Sequence, residues 1–417
     1  MNVAAFLTAK QPLDSGYFMI TIGGYIHRSE VEDLFWRWLH NDVKPDDPER
    51  VTKLIHFNNI YASRYLGLWS KQLFTYLAGT TTTEVSIQSK AELKDALVSY
   101  PHYHNERIDE LVRNYLAHRE LYYIETPIHA KLYFAGQGAE HRLVGTQRIK
   151  RARRLAEKAS RRIVDMIFGA IKQRADDYAD MRAKQLGIAR SQLVTSEAEM
   201  IHEFERAESR IVQDLRDGVH FPKVTAPPIN DIAGLKVIID PSEEEKLYEF
   251  IETRTRSDIF EIEPHHKKDY HATNLVIRAR PRKDLLVRDP IDSNLVRAMR
   301  ARGLWNGDIQ KEFQNFVYSG EDEVFIEIIY SSFADLLESE IGNSMHETRI
   351  TNQRAKEEYT GHLARNIEYL VQYIFAFASF PSAHLDECAI KVWSYYLPDY
   401  FNEVMKHLYR IEDPISY

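Results

Sequence analysis

The sequence predicts an α+β protein in which a small mixed β-sheet is flanked by mostly helical regions at both ends. Three observations predict this class. Short apolar runs rich in β-branched residues lie between residues 230 and 340. Longer stretches on either side repeat apolar residues at helical spacing. Pro222, Pro227 and Pro228 separate the preceding helical stretch from the strand-rich one.

Residues 1–135 are predicted to form a helical or mixed N-terminal region. It begins with a strand near 17–26 and a helix whose first turn carries the Ser29 and Glu32 capping pattern. A long helix follows over about 48–77, and Gly79 with four threonines ends it. Shorter helices are expected near 90–99 and 105–118, and a strand within 121–134.

Residues 136–226 are predicted to form a basic helical segment followed by the proline-rich connector. Eight arginines and lysines lie between Arg148 and Arg162. Beyond them, apolar residues such as Ile163 and Ile167 recur at helical spacing, so one helix face should pack inward. A basic run of this kind is also typical of a solvated helix face, and both interpretations stay open.

Residues 227–345 are predicted to hold the sheet, and residues 346–417 a set of C-terminal helices. Apolar runs with strand character predict the strands, and amphipathic spacing predicts the helices. The expected strands are 235–239, 258–263, 273–278 and 324–330; the expected helices are 242–255, 293–302, 309–316, 350–378 and 384–410.

Composition excludes several classes of protein. The formal net charge of −8 over 417 residues argues against nucleic-acid binding by the whole surface. A single cysteine, Cys388, excludes an intramolecular disulfide and a cysteine zinc site, which fits the cytoplasm. Neither a signal-peptide pattern nor an apolar run of membrane-spanning length is visible, so no membrane association is expected.

Two acidic residues stand out in the strand-rich region. Asp231 comes just before the apolar run at 235–239, and Glu327 lies inside the run at 324–330. A carboxylate in an apolar strand is costly unless it is paired, bound to metal or solvated. Two such acids suggest a Mg²⁺ site for phosphate chemistry. The alternative is that each acid lies on the wet face of a half-buried sheet.

Four segments, two of which contain Asp231 and Glu327, resemble the synthetase domain of RelA/SpoT-type alarmone enzymes. The small alarmone synthetases and their toxin relatives are the most similar members. The segment 231–238 matches the family's D-x-x-G-[LR]-[RK]-V-I strand. Residues 327–332 retain the acid of E-I-Q-I-R-T but not its Gln, Arg and Thr. Residues 268–274 retain only the tyrosine of N-G-Y-R-S-L-H. Residues 145–150, with Lys158, resemble the R-x-K-S segment and its nearby lysine.

The resemblance implies a nucleotidyltransferase-like core and a GTP pyrophosphokinase type of reaction. Pyrophosphate would move from ATP to a 3′-hydroxyl of GDP, GTP or tRNA, with Mg²⁺ as cofactor. Asp231 would be the main metal ligand, and Glu327 would bind metal or act as general base. The nucleotide-binding residues implied are Arg148, Lys150, Lys158, Lys236, Lys268, Tyr270, His271 and Asn274.

Two other functions stay open from the sequence. The chain is alternatively a catalytically inactive relative that senses nucleotides or binds a protein. It is alternatively a phosphodiesterase, because His129 and Lys131 resemble one H-x-K half-site of phospholipase D-like enzymes. The helical regions offer surfaces for self-association or for a protein partner.

Overall fold

The computed structural model describes residues 20–138, 141–219, 227–267, 270–301, 307–342, 359–379 and 387–408, together with Gly303 and Leu385. Across these residues the chain has the expected α+β fold, and seven strands form one mixed sheet. No helix in the described ranges has the length and apolar composition that a membrane span requires.

The strands pair in an order that brings the two acid-bearing segments together at the centre of the sheet. The order is β1-β2-β3-β4-β7-β6-β5. Only β4 and β7 are parallel, and all other neighbours are antiparallel. The strands are β1 (Thr82–Ser89), β2 (Pro127–Ala135), β3 (Arg142–Ile149), β4 (Ala233–Ile238), β5 (Ser257–Lys267), β6 (Tyr270–Ala279) and β7 (Val324–Ser331).

The sheet is larger than the sequence predicts. The strands expected at 235–239, 258–263, 273–278 and 324–330 correspond to β4, β5, β6 and β7, and the strand expected within 121–134 corresponds to β2. β1 and β3 were not expected, and the sheet extends across the boundaries proposed at residues 135 and 226. The two parts of the sheet are continuous because β3 pairs directly with β4. The two strands are antiparallel, from Gly145 opposite Val237 to Ile149 opposite Ala233. The basic segment predicted as helix from Arg148 therefore begins as strand.

The helices end where the sequence provides caps. Gly79 and Gly187 adopt left-handed conformations and end the two longest helices. The helices are α1 (Arg28–Leu39), α2 (Asp47–Ala78), α3 (Lys90–Ser99), α4 (Glu106–Ala117), α5 (Ala152–Leu186), α6 (Glu197–Arg216), α7 (Glu244–Glu249), α8 (Lys283–Leu286), α9 (Ser293–Ala301), α10 (Ile309–Ser319), α11 (Phe333–Leu337), α12 (His362–Ala376) and α13 (Tyr400–Leu408).

Two expectations at the chain ends need correction. The strand expected near 17–26 is, within residues 20–26, a single bridge between Ile22 and Ile229, because the chain turns at Gly23 and Gly24. The C-terminal helices are shorter than expected, since Pro398 precedes α13 and disfavours helix just before it. The remaining predicted residues, 17–19, 350–358, 384, 386 and 409–410, lie outside the described ranges.

One face of the sheet is packed at its centre, and we call it the packed face. Its central residues Leu235, Val237, Ile326 and Ile328 are buried in a core shared with α2. The opposite face is covered at the β1–β3 end by α3, α4 and α11. A third core, formed by α1, α5, α6 and α12, lies against residues 229–232. The centre of this second face lies between the two coverings.

Candidate functional site

Polar side chains gather at the centre of the second face, which we call the site face and define by Arg148, Gly234, Lys236, Asn274 and Glu327. Strand register places Arg148, Gly234 and Glu327 in one row across β3, β4 and β7. Lys236 and Asn274 lie in the next row, on either side of Ile329. Each of the five defining residues is partly exposed. The second face is therefore open to solvent where the two central strands meet.

Gly234 contributes no side chain to the middle of the site face. A Cβ atom there would lie 3.3 Å from the Glu327 carbonyl oxygen and 3.6 Å from its Oε2. The flanking backbones of Arg148 and Glu327 are two strand spacings apart, about 10 Å. Because glycine has no side chain, the sheet surface between the backbones of Arg148 and Glu327 has room for a ligand.

Asp231 lies just before β4 and contacts two lysines from distant parts of the sequence. The Lys150 ammonium is 2.7 Å from Asp231 Oδ2, and the Lys158 ammonium contacts the same oxygen. Lys150 follows β3 and is 81 residues from Asp231 in sequence. The residues between Lys150 and Asp231 include the α5–α6 hairpin. A 2.8 Å backbone hydrogen bond from Lys150 N–H to the Ile232 carbonyl joins the two ends of this segment.

The charges around Asp231 alter the acidity of several groups. Burial by itself would raise the pKa of Asp231, but Lys150 and Lys158 outweigh it and lower the pKa to about 2. Burial lowers the pKa of Lys150 and of Arg148. Both of these cations also interact with Asp231 and with Glu327. With Lys158, three cations lie around two acids, and this balance of charge favours binding of an additional anion.

The oxygen atoms near the two acids suit a magnesium ion. Asn274 donates a 3.1 Å hydrogen bond to Glu327 Oε1. Asp231 Oδ1 and Asn274 Oδ1 are buried without a hydrogen-bond partner in the described part of the chain. That part contains no group of three or more His, Cys, Asp or Glu side chains placed for a metal. Proteins usually hold Mg²⁺ with one or two carboxylates plus substrate phosphates, which Asp231 and Glu327 fit.

A second cluster of opposite charges adjoins the site face. Lys236 lies 2.6 Å from Glu340 Oε1, and Lys90 contacts the other carboxylate oxygen. Sequence reasoning selected Lys236 but missed Lys90 and Glu340. These two residues are 250 positions apart and match no local motif. Only the strand order brings them together.

For only one of the three remaining residues implied by the resemblance is a side-chain environment described. Lys268 lies outside the described residues, and for Tyr270 only the backbone is described. His271 is exposed near the start of β6, where its backbone N–H donates a 2.7 Å hydrogen bond to Asp335. The structure therefore joins Arg148, Lys150, Lys158, Lys236 and Asn274 to the two acids and leaves His271 apart.

The H-x-K pair lies on the other side of the sheet. Ala130 pairs with Arg148, so alternation directs His129 and Lys131 to the packed-face side of β2. Lys131 forms a 2.8 Å ion pair with Glu84, and His129 is exposed. Neither residue contributes to the site face.

Comparison with known proteins found no match: no family model, no curated protein and no solved structure corresponds to this chain.

Proposed function

We propose that this chain is a RelA/SpoT-like transferase, which moves pyrophosphate from ATP to the 3′-hydroxyl of a nucleotide or tRNA with Mg²⁺. One observation carries the proposal. Lys150 and Lys158, from the R-x-K-like segment, contact Asp231 of the D-x-x-G-like segment although 81 residues separate Lys150 from Asp231. Two segments that carry the resemblance therefore meet beside Glu327 in a partly exposed site.

The cations of the site would hold the ATP phosphates. An ammonium group has three donors, so Lys150 and Lys158 can bond Asp231 and still donate to phosphate oxygens. Arg148 and Lys150 are poorly hydrated, which strengthens their attraction for an anion. The binding of ATP would thus depend on charge and position, as phosphoryl-type transfer requires.

The two acids have different roles in this proposal. With a pKa of about 2, Asp231 is a poor general base and remains a carboxylate that can hold Mg²⁺. Glu327 would accept the proton of the attacking 3′-hydroxyl. The new bond forms between that oxygen and the β-phosphorus of ATP, the bond to the α–β bridging oxygen breaks, and AMP leaves. Bound magnesium would neutralise charge developing on the phosphates.

The acceptor would lie towards β6. Asn274 directs its amide nitrogen at Glu327, and its amide oxygen is a buried acceptor without a described partner. It can therefore receive a hydrogen bond from the acceptor sugar or base. Lys268, Tyr270 and His271 remain candidates for contacts with a GDP, GTP or tRNA acceptor. The cytoplasm remains the expected compartment.

A second candidate function is a catalytically inactive module that senses a nucleotide or binds a protein. Ile329 is partly exposed on the site face at the position of the family's glutamine. The Ser332 hydroxyl, at the threonine position, accepts a 3.1 Å hydrogen bond from Asp335 N–H and caps α11. Both observations favour binding without turnover. The phosphodiesterase alternative gains no support, because Glu84 neutralises Lys131 away from the site face.

The helical regions contain a surface suited to the expected self-association or protein contact. The end of the α5–α6 hairpin carries large apolar side chains that are exposed, whereas isolated exposed apolar residues are ordinary. These residues are Met181, Leu186, Ile188, Val194, Met200 and Ile201.

A transfer assay tests the enzyme proposal. Purified protein with ATP, Mg²⁺ and GDP, GTP or tRNA should release one AMP for each pyrophosphorylated acceptor. Asp231→Asn should lose this activity, whereas Asp240→Asn, an exposed acid following the far end of β4, should keep it. Calorimetry separates the alternatives, because a sensor binds ATP or GDP without turnover. A parent protein that binds neither nucleotide contradicts both the transferase and the nucleotide sensor, and leaves the protein-binding module.

A further inference from the structure

The strand β1 lies at one end of the sheet, and its outer edge is unpaired in the described part of the chain. A strand edge presents a row of backbone N–H and C=O groups that can hydrogen-bond to another strand. Proteins commonly protect such edges with charged side chains, prolines or bulges. The two edges of this sheet differ in that protection, and the difference indicates which of them accepts a partner.

The opposite edge, β5, has all three forms of protection. Pro264 has no N–H to donate, and Glu261 and Glu263 are exposed on the strand. The pairing of β5 with β6 also shifts register between Ile259 and Glu261. These features oppose the addition of a further strand beside β5.

The edge of β1 has little protection of this kind. Residues 82–87 pair with β2 in a continuous register, and four of these six residues are β-branched, which favours an extended strand. The only charged residue of β1, Glu84, forms a 2.8 Å ion pair with Lys131 of β2. Val85 is 48 % exposed. A regular strand edge with an uncovered valine is suited to pairing with another strand.

The part of this edge that can accept a strand ends at Ile87. The backbone N–H groups of Gln88 and Ser89 each donate a 2.8 Å hydrogen bond to the Glu92 carboxylate, where α3 begins. They are therefore already used within the chain. Residues 82–87 remain for a partner strand, and we call them the open edge.

The open edge is complementary to itself. When two identical strands pair antiparallel about a twofold axis, one residue lies opposite its own copy. The two registers that pair most of the open edge place either Glu84 or Val85 at the axis. Opposed glutamates repel each other, whereas opposed valines exclude water, and Glu84 then lies opposite Ser86. The register centred on Val85 is therefore favoured, and a second copy of this chain is the partner that fits it.

We propose that two copies of this chain associate through β1, whose open edges pair antiparallel about a twofold axis at Val85. The seven-stranded sheets of the two copies then form one continuous sheet. The dimer covers the valine that each copy exposes. It requires no nucleotide, so it does not depend on the proposed transferase activity.

Charged substitutions at Val85 test this register. Sedimentation equilibrium of the parent at up to about 100 μM should show a mass that rises with concentration towards that of two chains. Val85→Lys places two ammonium groups opposite each other and should raise the dissociation constant at least about tenfold. Val85→Glu should have the same effect. An equimolar mixture of the two variants should associate, because each lysine then lies opposite a glutamate.

A cysteine at the same position reports the pairing directly. Opposed Cβ atoms in an antiparallel pair lie about 4.5–5.5 Å apart, so Val85→Cys should form an intermolecular disulfide under mild oxidation. The native Cys388 is buried and should not contribute. Val194, which is 92 % exposed at the end of the α5–α6 hairpin, provides the matched controls. Val194→Lys should leave the dimer intact, and Val194→Cys should not become cross-linked.

Three results would overturn the proposal. A parent that stays monomeric at the highest concentration has no second copy on its open edge, even if that edge binds a peptide of another protein. A dimer that survives Val85→Lys but is lost in Val194→Lys is held together by the hairpin. A mixture of Val85→Lys and Val85→Glu that remains monomeric, although circular dichroism shows both variants folded, contradicts the register centred on Val85.

Discussion

Replacing Asp231 by asparagine should destabilise the fold in a pH-dependent way. The asparagine amide keeps the approximate shape of the side chain but removes the charge that Lys150 and Lys158 share. The pKa of Asp231 falls from 3.8 in an unstructured chain to about 2 in the fold. At about 1.4 kcal/mol per pH unit, this fall corresponds to roughly 2.5 kcal/mol of stability near neutral pH.

The direction of the pH dependence follows from the lowered pKa. The carboxylate stabilises the fold fully at pH values above its unfolded pKa of 3.8, and this contribution disappears as the pH falls towards 2. The free energies of unfolding of the parent and Asp231→Asn should therefore differ by about 2.5 kcal/mol at pH 7. The difference should be equally large at pH 5 and should begin to shrink below pH 4.

Urea unfolding followed by circular dichroism measures this difference at each pH. Asp240→Asn is the control, because Asp240 is exposed and follows the opposite end of β4. A difference that stays constant between pH 7 and pH 3 would refute the reasoning, and so would an Asp231→Asn protein that is as stable as the parent at pH 7.

Three further results are expected. In the absence of Mg²⁺, calorimetry should show tighter ATP binding to Asp231→Asn than to the parent, because the substitution releases two lysines; equal or weaker binding would contradict this competition. Gly234→Val should place a branched side chain between Arg148 and Glu327, in the space that the ligand would occupy, and should weaken nucleotide binding at least about tenfold. Unchanged affinity in a folded variant would show that ligands bind elsewhere. Leu73→Ala, at a fully buried α2 residue in the core under the packed face, should lower the free energy of unfolding by about 2–5 kcal/mol in urea titrations; it should leave nucleotide affinity in the folded protein unchanged, and a matching loss of affinity would link the packed face to the site.

The sequence predicts the central strands well because their signal is local. β4 and β7 are buried on the packed face and carry apolar runs that are interrupted only by Lys236 and Glu327, so their character is visible without tertiary information. β3 was not predicted, and its last two residues were wrongly assigned to helix, because they join a long basic segment whose later part is helical. β1 was missed because most of its residues are exposed, which leaves little apolar pattern to detect.

The site could be predicted only where residues belong to a motif. The resemblance selected Arg148, Lys150 and Lys158 together with Asp231 and Glu327, and the strand order explains how these segments meet. Lys90 and Glu340 could not be selected in this way. Each is an ordinary charged residue in its own segment, and only the fold pairs them across 250 positions.

Product analysis by mass spectrometry after incubation with ATP, Mg²⁺ and GDP, GTP or tRNA tests the central claim most directly. We expect the parent to yield AMP and an acceptor heavier by one pyrophosphate group. Glu327→Gln should retain ATP binding and yield neither product. The account is contradicted if the parent leaves every acceptor unmodified, or if Glu327→Gln forms both products at the parental rate.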